Sequence, residues 1–286
     1  MSVSIDEFFN SLIFAKVLFQ SDFSKFRSFV RVSDMKFIVL GSGSSVPHPK
    51  RSSSAYWLET ESGSVLLDCS ASAIHRIAQE NLDWAGLDAI WISHFHLDHC
   101  GGLFPFLFGT KYAPETQDRT KPLRIFACKG LVDLIERFGD YELLKQPFPL
   151  EINEIEPLGN FEILENIEAV ALDTPHTAES AAIFIRDQKD KTLVFTSDTG
   201  FTKSLGAFAK NVDLFVLECS FVKNKPVEKH LELAEAMYLI SYANPKRAML
   251  THFYPEWDDV DFQAEVKRFS PRCEVIEAQD GLVVEI

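Results

Sequence analysis

Leu87–His99 reads LDAIWISHFHLDH. Leu87–Ser93 is an apolar run with Ile and Trp, the pattern of a buried strand. It stops at Ser93, where the ligand-type residues begin. At a strand end, His94 and His96 point the same way because side chains alternate with period two. Asp98 and His99 then turn back from the following loop and helix start. Four such groups within six residues are costly to bury unpaired. A metal ion removes that cost, since imidazole and carboxylate are good ligands for zinc and similar ions. One histidine alone would read as an ordinary surface residue; so dense a cluster points to metal.

Before this stretch, Lys36–Gly41, Ala55–Glu59 and Val65–Cys69 read as strands and Ile74–Gln79 as a helix. After it, Gly101–Tyr112 reads as a helix, Leu123–Cys128 as a strand and Leu131–Phe138 as a helix. Pro147–Leu172 holds three β runs broken by Pro157 and Gly159. Ala181–Arg186 and Thr192–Thr196 form a pair joined by the polar turn Asp187–Lys191. Leu214–Leu217 is a strand, and Leu231–Tyr242 a helix stopped at Asn244-Pro245. Arg247–Thr251 is a strand, Val260–Phe269 a helix, and Glu274–Ile286 closes with β structure. This order fits sheets with helices on their outer faces better than a doubly wound parallel sheet. No tandem repeat is visible at short period.

Residues 1–34 have a different character. Phe19, Phe23, Phe26 and Val30 recur at helical intervals. Three readings stand: a helical cap on the domain, a partner-binding segment, or an upstream start, since Met35 directly precedes the first clear strand. The domain boundary expected is therefore 1–34 for the extension and 35–286 for the main domain.

The 286-residue chain is long enough for a sizeable core and carries a net charge of −14. That charge argues against nonspecific nucleic-acid binding. The five cysteines are odd in number and contain no CxxC, so they read as buried hydrophobes in a reducing compartment; Cys100 is singled out only because it follows His99. No run reaches membrane-spanning length, and Asp6 and Glu7 replace the basic start of a secretory signal. The expected location is cytoplasmic, without a membrane partner. GSGSSVP after the first strand lacks the third glycine and the helix of a dinucleotide site, so it reads as a tight turn. Lys50 and Arg51 read as a solvated loop.

Beyond the cluster, His176 in DTPHT, Asp198 in TSDTG, His230 at a helix start and His252 in MLTH lie at strand-edge positions, where active-site groups gather. With HxHxDH they form a set. The set resembles the metallo-β-lactamase superfamily, and within it the ribonuclease Z and phosphodiesterase branch, from about Met35 to the C-terminus. The resemblance implies an α/β (α+β) fold, a four-layer αββα sandwich with metals at one edge. It implies two divalent ions, Zn²⁺ with Mn²⁺ or Fe as alternatives. By motif, His94, His96 and His176 hold the first ion, Asp98, His99 and His252 the second, and Asp198 bridges them. Asp68, in LLDCS, matches the acidic residue that supports such a site. LECSF, carrying Glu218, and His230 in HLELAEA resemble the ribonuclease Z branch, with Glu232 where threonine is usual.

The same resemblance implies catalytic roles for Asp98, His230 and Glu218. A hydroxide shared by ions roughly 3.5–4 Å apart would attack phosphorus. His230, oriented by Glu218, would protonate the leaving oxygen. Ribonuclease Z proteins carry a long tRNA-gripping arm between the third histidine and the bridging aspartate. Here His176 to Asp198 spans only 22 residues. A small or cyclic phosphodiester is therefore the expected substrate and partner, with nucleic acid not favoured and a homodimer admitted. A tRNA 3′ endonuclease and a hydrolase of another ester, lactone or aryl sulfate, are the alternatives.

Overall fold

A computed structural model of the protein describes residues 35–138 and 145–286, so the helical segment expected over 1–34 lies outside the described residues. The first half supplies β1 (Lys36–Gly41), β2 (Ala55–Thr60), β3 (Gly63–Cys69), α1 (Ala73–Gln79), β4 (Ala89–Ile92), α2 (Leu97–Cys100), α3 (Leu103–Tyr112), β5 (Leu123–Cys128), α4 (Leu131–Phe138) and β6 (Leu150–Ile155). The second half supplies β7 (Asn160–Leu164), β8 (Ile167–Asp173), β9 (Ala181–Arg186), β10 (Thr192–Phe195), α5 (Lys203–Phe208), β11 (Leu214–Glu218), α6 (Leu233–Ala243), β12 (Arg247–Thr251), α7 (Phe262–Lys267), β13 (Glu274–Glu277) and β14 (Val283–Glu285).

These strands form two seven-stranded sheets, β14-β1-β2-β3-β4-β5-β6 and β13-β12-β11-β10-β9-β8-β7. Both follow one plan. In the first, the pairings from β14 to β3 are antiparallel and those from β3 to β6 parallel. In the second, β7 to β10 pair antiparallel and β10 to β13 parallel. The parallel halves need crossover connections, and helices supply them.

Side-chain alternation builds the layers. Phe37, Val39, Tyr56, Leu58, Val65, Leu67 and Trp91 face the second sheet's Ile183, Ile185, Phe195 and Val216 in one core. Their strand neighbours Ile38, Leu40, Trp57, Leu66, Ile90 and Ile92 face the other way, onto Ile77, Leu103, Leu107, Leu131 and Ile135 of α1, α3 and α4. Because both faces are covered, the central strands read as continuous apolar runs. Leu233, Met237 and Ile240 of α6 are buried on the second sheet's side of the molecule. Tyr56 joins the sheets, with its ring 4.9 Å from Phe195 and its hydroxyl 2.7 Å from Thr251 Oγ1. The result is the four-layer αββα sandwich.

Four helices differ from the sequence reading by more than a residue, one of them expected over Val260–Phe269 and found over Phe262–Lys267. The one expected over Gly101–Tyr112 starts at Leu103, with Leu97–Cys100 a separate turn. Gly102 N donates to Cys69 O at 2.8 Å, and a Cβ at Gly102 would meet Ser70 O at 2.1 Å. Backbone crowding against the end of β3 thus breaks the helix. The helix expected from Leu231 starts at Leu233, because residues 231–233 first pair with Phe221 (Phe221 N to Leu231 O 3.2 Å, Leu233 N to Phe221 O 2.9 Å). It ends as expected, at Asn244 in the left-handed conformation. The short α5 was not anticipated.

Candidate metal centre

The cluster residues occupy the C-terminal ends of six strands, three or more of them parallel neighbours, where loops rather than sheet pairing set side-chain direction. Asp68 closes β3 and His94 follows β4; His176, Asp198 and His252 follow β8, β10 and β12; Glu218 ends β11. Asp68, Ser197 and His252 have φ of 59°, 51° and 61°. Such left-handed backbone in non-glycine residues is uncommon and costs roughly 1–3 kcal/mol each. All three sit in this site, where the turn aims a side chain inward.

The structure brings together every residue of the sequence-read set. His94, His96, His176 and Asp198 offer donor atoms within 4.8 Å of one another, and so do Asp98, His99, Asp198 and His252. His96 Nδ1 lies 3.1 Å from His94 Nε2 and 3.0 Å from His176 Nε2. Around a tetrahedral ion with ligands at ~2.0–2.1 Å, donor–donor edges would be about 3.3 Å. Asp198 belongs to both sets. Its Oδ1 lies 3.2 Å from His99 Nε2 and 3.1 Å from His252 Nε2. Its Oδ2 lies 3.6 Å from His176 Nε2 and 3.9 Å from His94 Nε2. Asp98 Oδ2 completes the second set, 3.6 Å from both His99 Nε2 and His252 Nε2.

Three of these atoms, His99 Nε2, Asp198 Oδ1 and His252 Nε2, are buried and have no hydrogen-bond partner. An orphaned buried polar atom costs about 1–3 kcal/mol, more when charged. Three orphans converging on one point, two nitrogens and an oxygen, suit a divalent cation. The donor chemistry and the geometry fit metal binding.

The distal ring atoms are held as metal-site histidines require. His99 Nδ1 reaches Asp68 Oδ2 at 2.7 Å, and His176 Nδ1 reaches Lys229 O at 2.8 Å. His94 Nδ1 is 3.1 Å from Ser93 Oγ. Asp68 also accepts from Ser93 N at 2.9 Å and from the hydroxyls of Ser93 and Ser197. Burial holds His94 and His176 below the usual imidazole range. Burial would lower His99 too, but the charges of Asp198 and Asp68 outweigh it and raise His99 well above that range. Burial would raise Asp198, yet the charges of His252 and His99 keep it well below the carboxylate range.

His230 does not open its helix; it lies in the bend before it, with Nδ1 2.9 Å from Glu218 Oε1 and 3.9 Å from Asp198 Oδ2. Glu218 also accepts from Thr199 N, Leu231 N, Ser220 N and Ser220 Oγ. Burial would lower the His230 imidazole, but the hydrogen bond and charge of Glu218 raise it to about 9. Three serines, Ser93, Ser197 and Ser220, support the site and were not read from the sequence. Serine is common in loops, and no spacing rule marks one that faces inward.

Other groups are committed elsewhere. Cys100 is buried with its thiol 3.4 Å from Phe95 O. Arg51, expected in a solvated loop, is largely buried and pairs with Asp258 at 2.6 Å. His48 pairs with the same carboxylate at 2.7 Å. Among the described residues no helix is long and apolar enough to cross a membrane.

Comparison with known proteins agrees with this geometry. The beta-lactamase superfamily domain matches residues 64–253, more than half of the chain. A ribonuclease Z from Shouchella clausii is 26% identical over 310 aligned positions, covering 88% of this chain and 97% of that protein. The metallo-beta-lactamase fold protein YhfI from Bacillus subtilis superposes with a TM-score of 0.74 at 22% identity, covering 88% of this chain and all of that one. A diphosphatase from the PhnP family superposes with a TM-score of 0.68 at 17% identity, covering 88% and 98%. With a matched segment that runs from β3 to just past His252, the chain belongs to the beta-lactamase superfamily and is a metal-dependent hydrolase.

Proposed function

We propose that residues 35–286 form a two-metal phosphodiesterase that acts on a small or cyclic phosphodiester. The observation that carries this reading is Asp198, whose two oxygens face two different histidine sets. His94, His96 and His176 would hold one ion, Asp98, His99 and His252 the other, with Asp198 shared; zinc suits these nitrogen and oxygen donors. Bound ions would supply Lewis-acid activation of water and of a phosphoryl oxygen.

The chain's own groups do the rest. Asp98, where burial would raise the carboxyl but His252 and His99 outweigh it, stays below the usual range and is ionised at neutral pH. It can orient the attacking water. His230, on its Glu218 support, carries a proton to the leaving oxygen. A phosphodiester needs that proton because its leaving group is an alkoxide.

Size selects the substrate. The interval from His176 to Asp198 is filled by β9, the turn at 187–191 and β10, and these residues make no tRNA-gripping extension. The second reading, a tRNA 3′ endonuclease, is favoured by the ribonuclease Z relative and its near-complete coverage. Metal-reconstituted protein should hydrolyse bis-p-nitrophenyl phosphate and at least one member of a cyclic-nucleotide panel, and leave precursor tRNA intact. Cleavage of precursor tRNA at its 3′ side would select the second reading. Activity on lactones alone would overturn both.

A further inference from the structure

Ser220 lies just past the end of β11, fully buried, and its hydroxyl has three neighbours. Glu218 Oε2 is 2.6 Å away, His252 Nδ1 3.1 Å and His230 Nδ1 3.2 Å. One hydroxyl has one proton to give and two lone pairs to receive. The distribution of these three contacts can be solved. Glu218 takes five donors: the backbone N–H groups of Thr199, Ser220 and Leu231, His230 Nδ1 and the Ser220 hydroxyl. It is therefore an acceptor, and the shortest contact is Ser220 donating to it. His230 gives its Nδ1 hydrogen to Glu218 Oε1 at 2.9 Å, the closer of its two acceptors. The Ser220 lone pairs are left to receive from His252. That requires the hydrogen of His252 to be on Nδ1.

Resting on the metal-centre reading above, we infer that Ser220 is a positioning residue: it relays the hold of the buried Glu218 carboxylate to His252 and keeps a hydrogen on its Nδ1, so that Nε2 is the atom offered to the metal site. Nε2 is then the ring atom turned to the metal site, 3.1 Å from Asp198 Oδ1 and 3.6 Å from Asp98 Oδ2. The two histidines of the second set are thereby backed in different ways. His99 meets its carboxylate, Asp68, directly at 2.7 Å. His252 meets its own through a serine. His252 has φ 61°, so the backbone carries part of the aiming and the serine sets the proton.

The test compares full-length wild type with Ser220→Ala and Ser220→Thr. Nitrogen NMR of the histidine rings in chelator-stripped protein reads the tautomer without metal or turnover. Wild type and S220T should show a hydrogen on His252 Nδ1, and S220A a mixture or the form with its hydrogen on Nε2 alone. Zinc is then titrated against a chromophoric chelator. S220A should lose roughly 10–100-fold in affinity at one of two sites, the scale typical of lost support behind a ligand, with the other site unchanged. S220T should lie near wild type. An S220A protein that keeps the hydrogen on His252 Nδ1 and binds both ions as tightly as wild type overturns the inference. Wild type that binds no zinc would instead sink the two-metal reading, while the NMR result still decides the role of Ser220. Should S220A fail to fold, Ser220→Cys, similar in size and a weak hydrogen-bonding partner, is read in the same way.

Discussion

In the proposed reaction His230 would donate the proton: burial lowers its imidazole, but Glu218, 2.9 Å away, outweighs this and raises it to about 9. Its Nδ1 is spent on Glu218, which leaves Nε2 for the leaving oxygen. Replacing His230 by Ala should lower kcat by roughly 10²–10⁴, the usual worth of a general acid, with metal content per chain unchanged. Metal analysis beside the kinetics checks this: a variant that loses bound metal would make His230 a ligand. At this scale the ligand-type residues were legible and their supports were not. His94, His96, Asp98 and His99 stand out because histidine and aspartate are rare in such density after an apolar run. Asp68 could be recognised only through the family resemblance. Ser93, Ser197 and Ser220 act through hydroxyl geometry, which depends on φ values and on strands far apart in sequence.

Among the elements, the edge opposite the metal centre is held by Asp213, just before β11. It accepts from Thr192 N at 3.0 Å and Thr192 Oγ1 at 2.8 Å, at the start of β10, and from Lys246 Nζ at 2.5 Å, just before β12. Three adjacent strand starts are thus tied to one carboxylate. Burial would raise Asp213, but the hydrogen bonds from Lys246 and Thr192 outweigh it, so its folded pKa lies below the usual value. A depressed carboxylate stabilises the fold above its unfolded pKa of about 3.9, and the contribution fades as pH falls through the lower folded value. Asp213→Asn should therefore be less stable than wild type at pH 7, with the gap narrowing as the pH drops below 4. Urea unfolding at both pH values measures this; a gap independent of pH would mean that Asp213 acts by shape and not by charge. The strands themselves were readable, since runs such as Ala55–Thr60 and Leu214–Glu218 are apolar and short. Their partners were not. Pairing β1 with β14 joins Lys36 to Glu285, and no local pattern in either segment announces it. Gly102 likewise breaks a helix through crowding against Ser70 O, a contact between distant segments.

At the scale of the molecule, the candidate centre is a seam between two sheets that share one plan. The first sheet sends His94, His96, Asp98 and His99 into it from the end of β4; the second sends His176, Asp198 and His252 from β8, β10 and β12. Without an ion, orphaned atoms of His99, Asp198 and His252 meet across that seam. A chain of net charge −14 adds general repulsion to this local cost. Metal should therefore bind the folded state and stabilise it by mass action, about 2.7 kcal/mol at a hundredfold excess over Kd. For a domain of this size that corresponds to a rise in Tm of roughly 5–10 °C. Chelator-stripped protein should melt lower, and added zinc should restore the higher Tm. Asp198→Ala removes the one residue that faces both sets, so zinc should raise its Tm by much less. Scanning calorimetry of the two proteins with and without zinc decides the matter: equal rises in both would show that the ion does not join the sheets through Asp198.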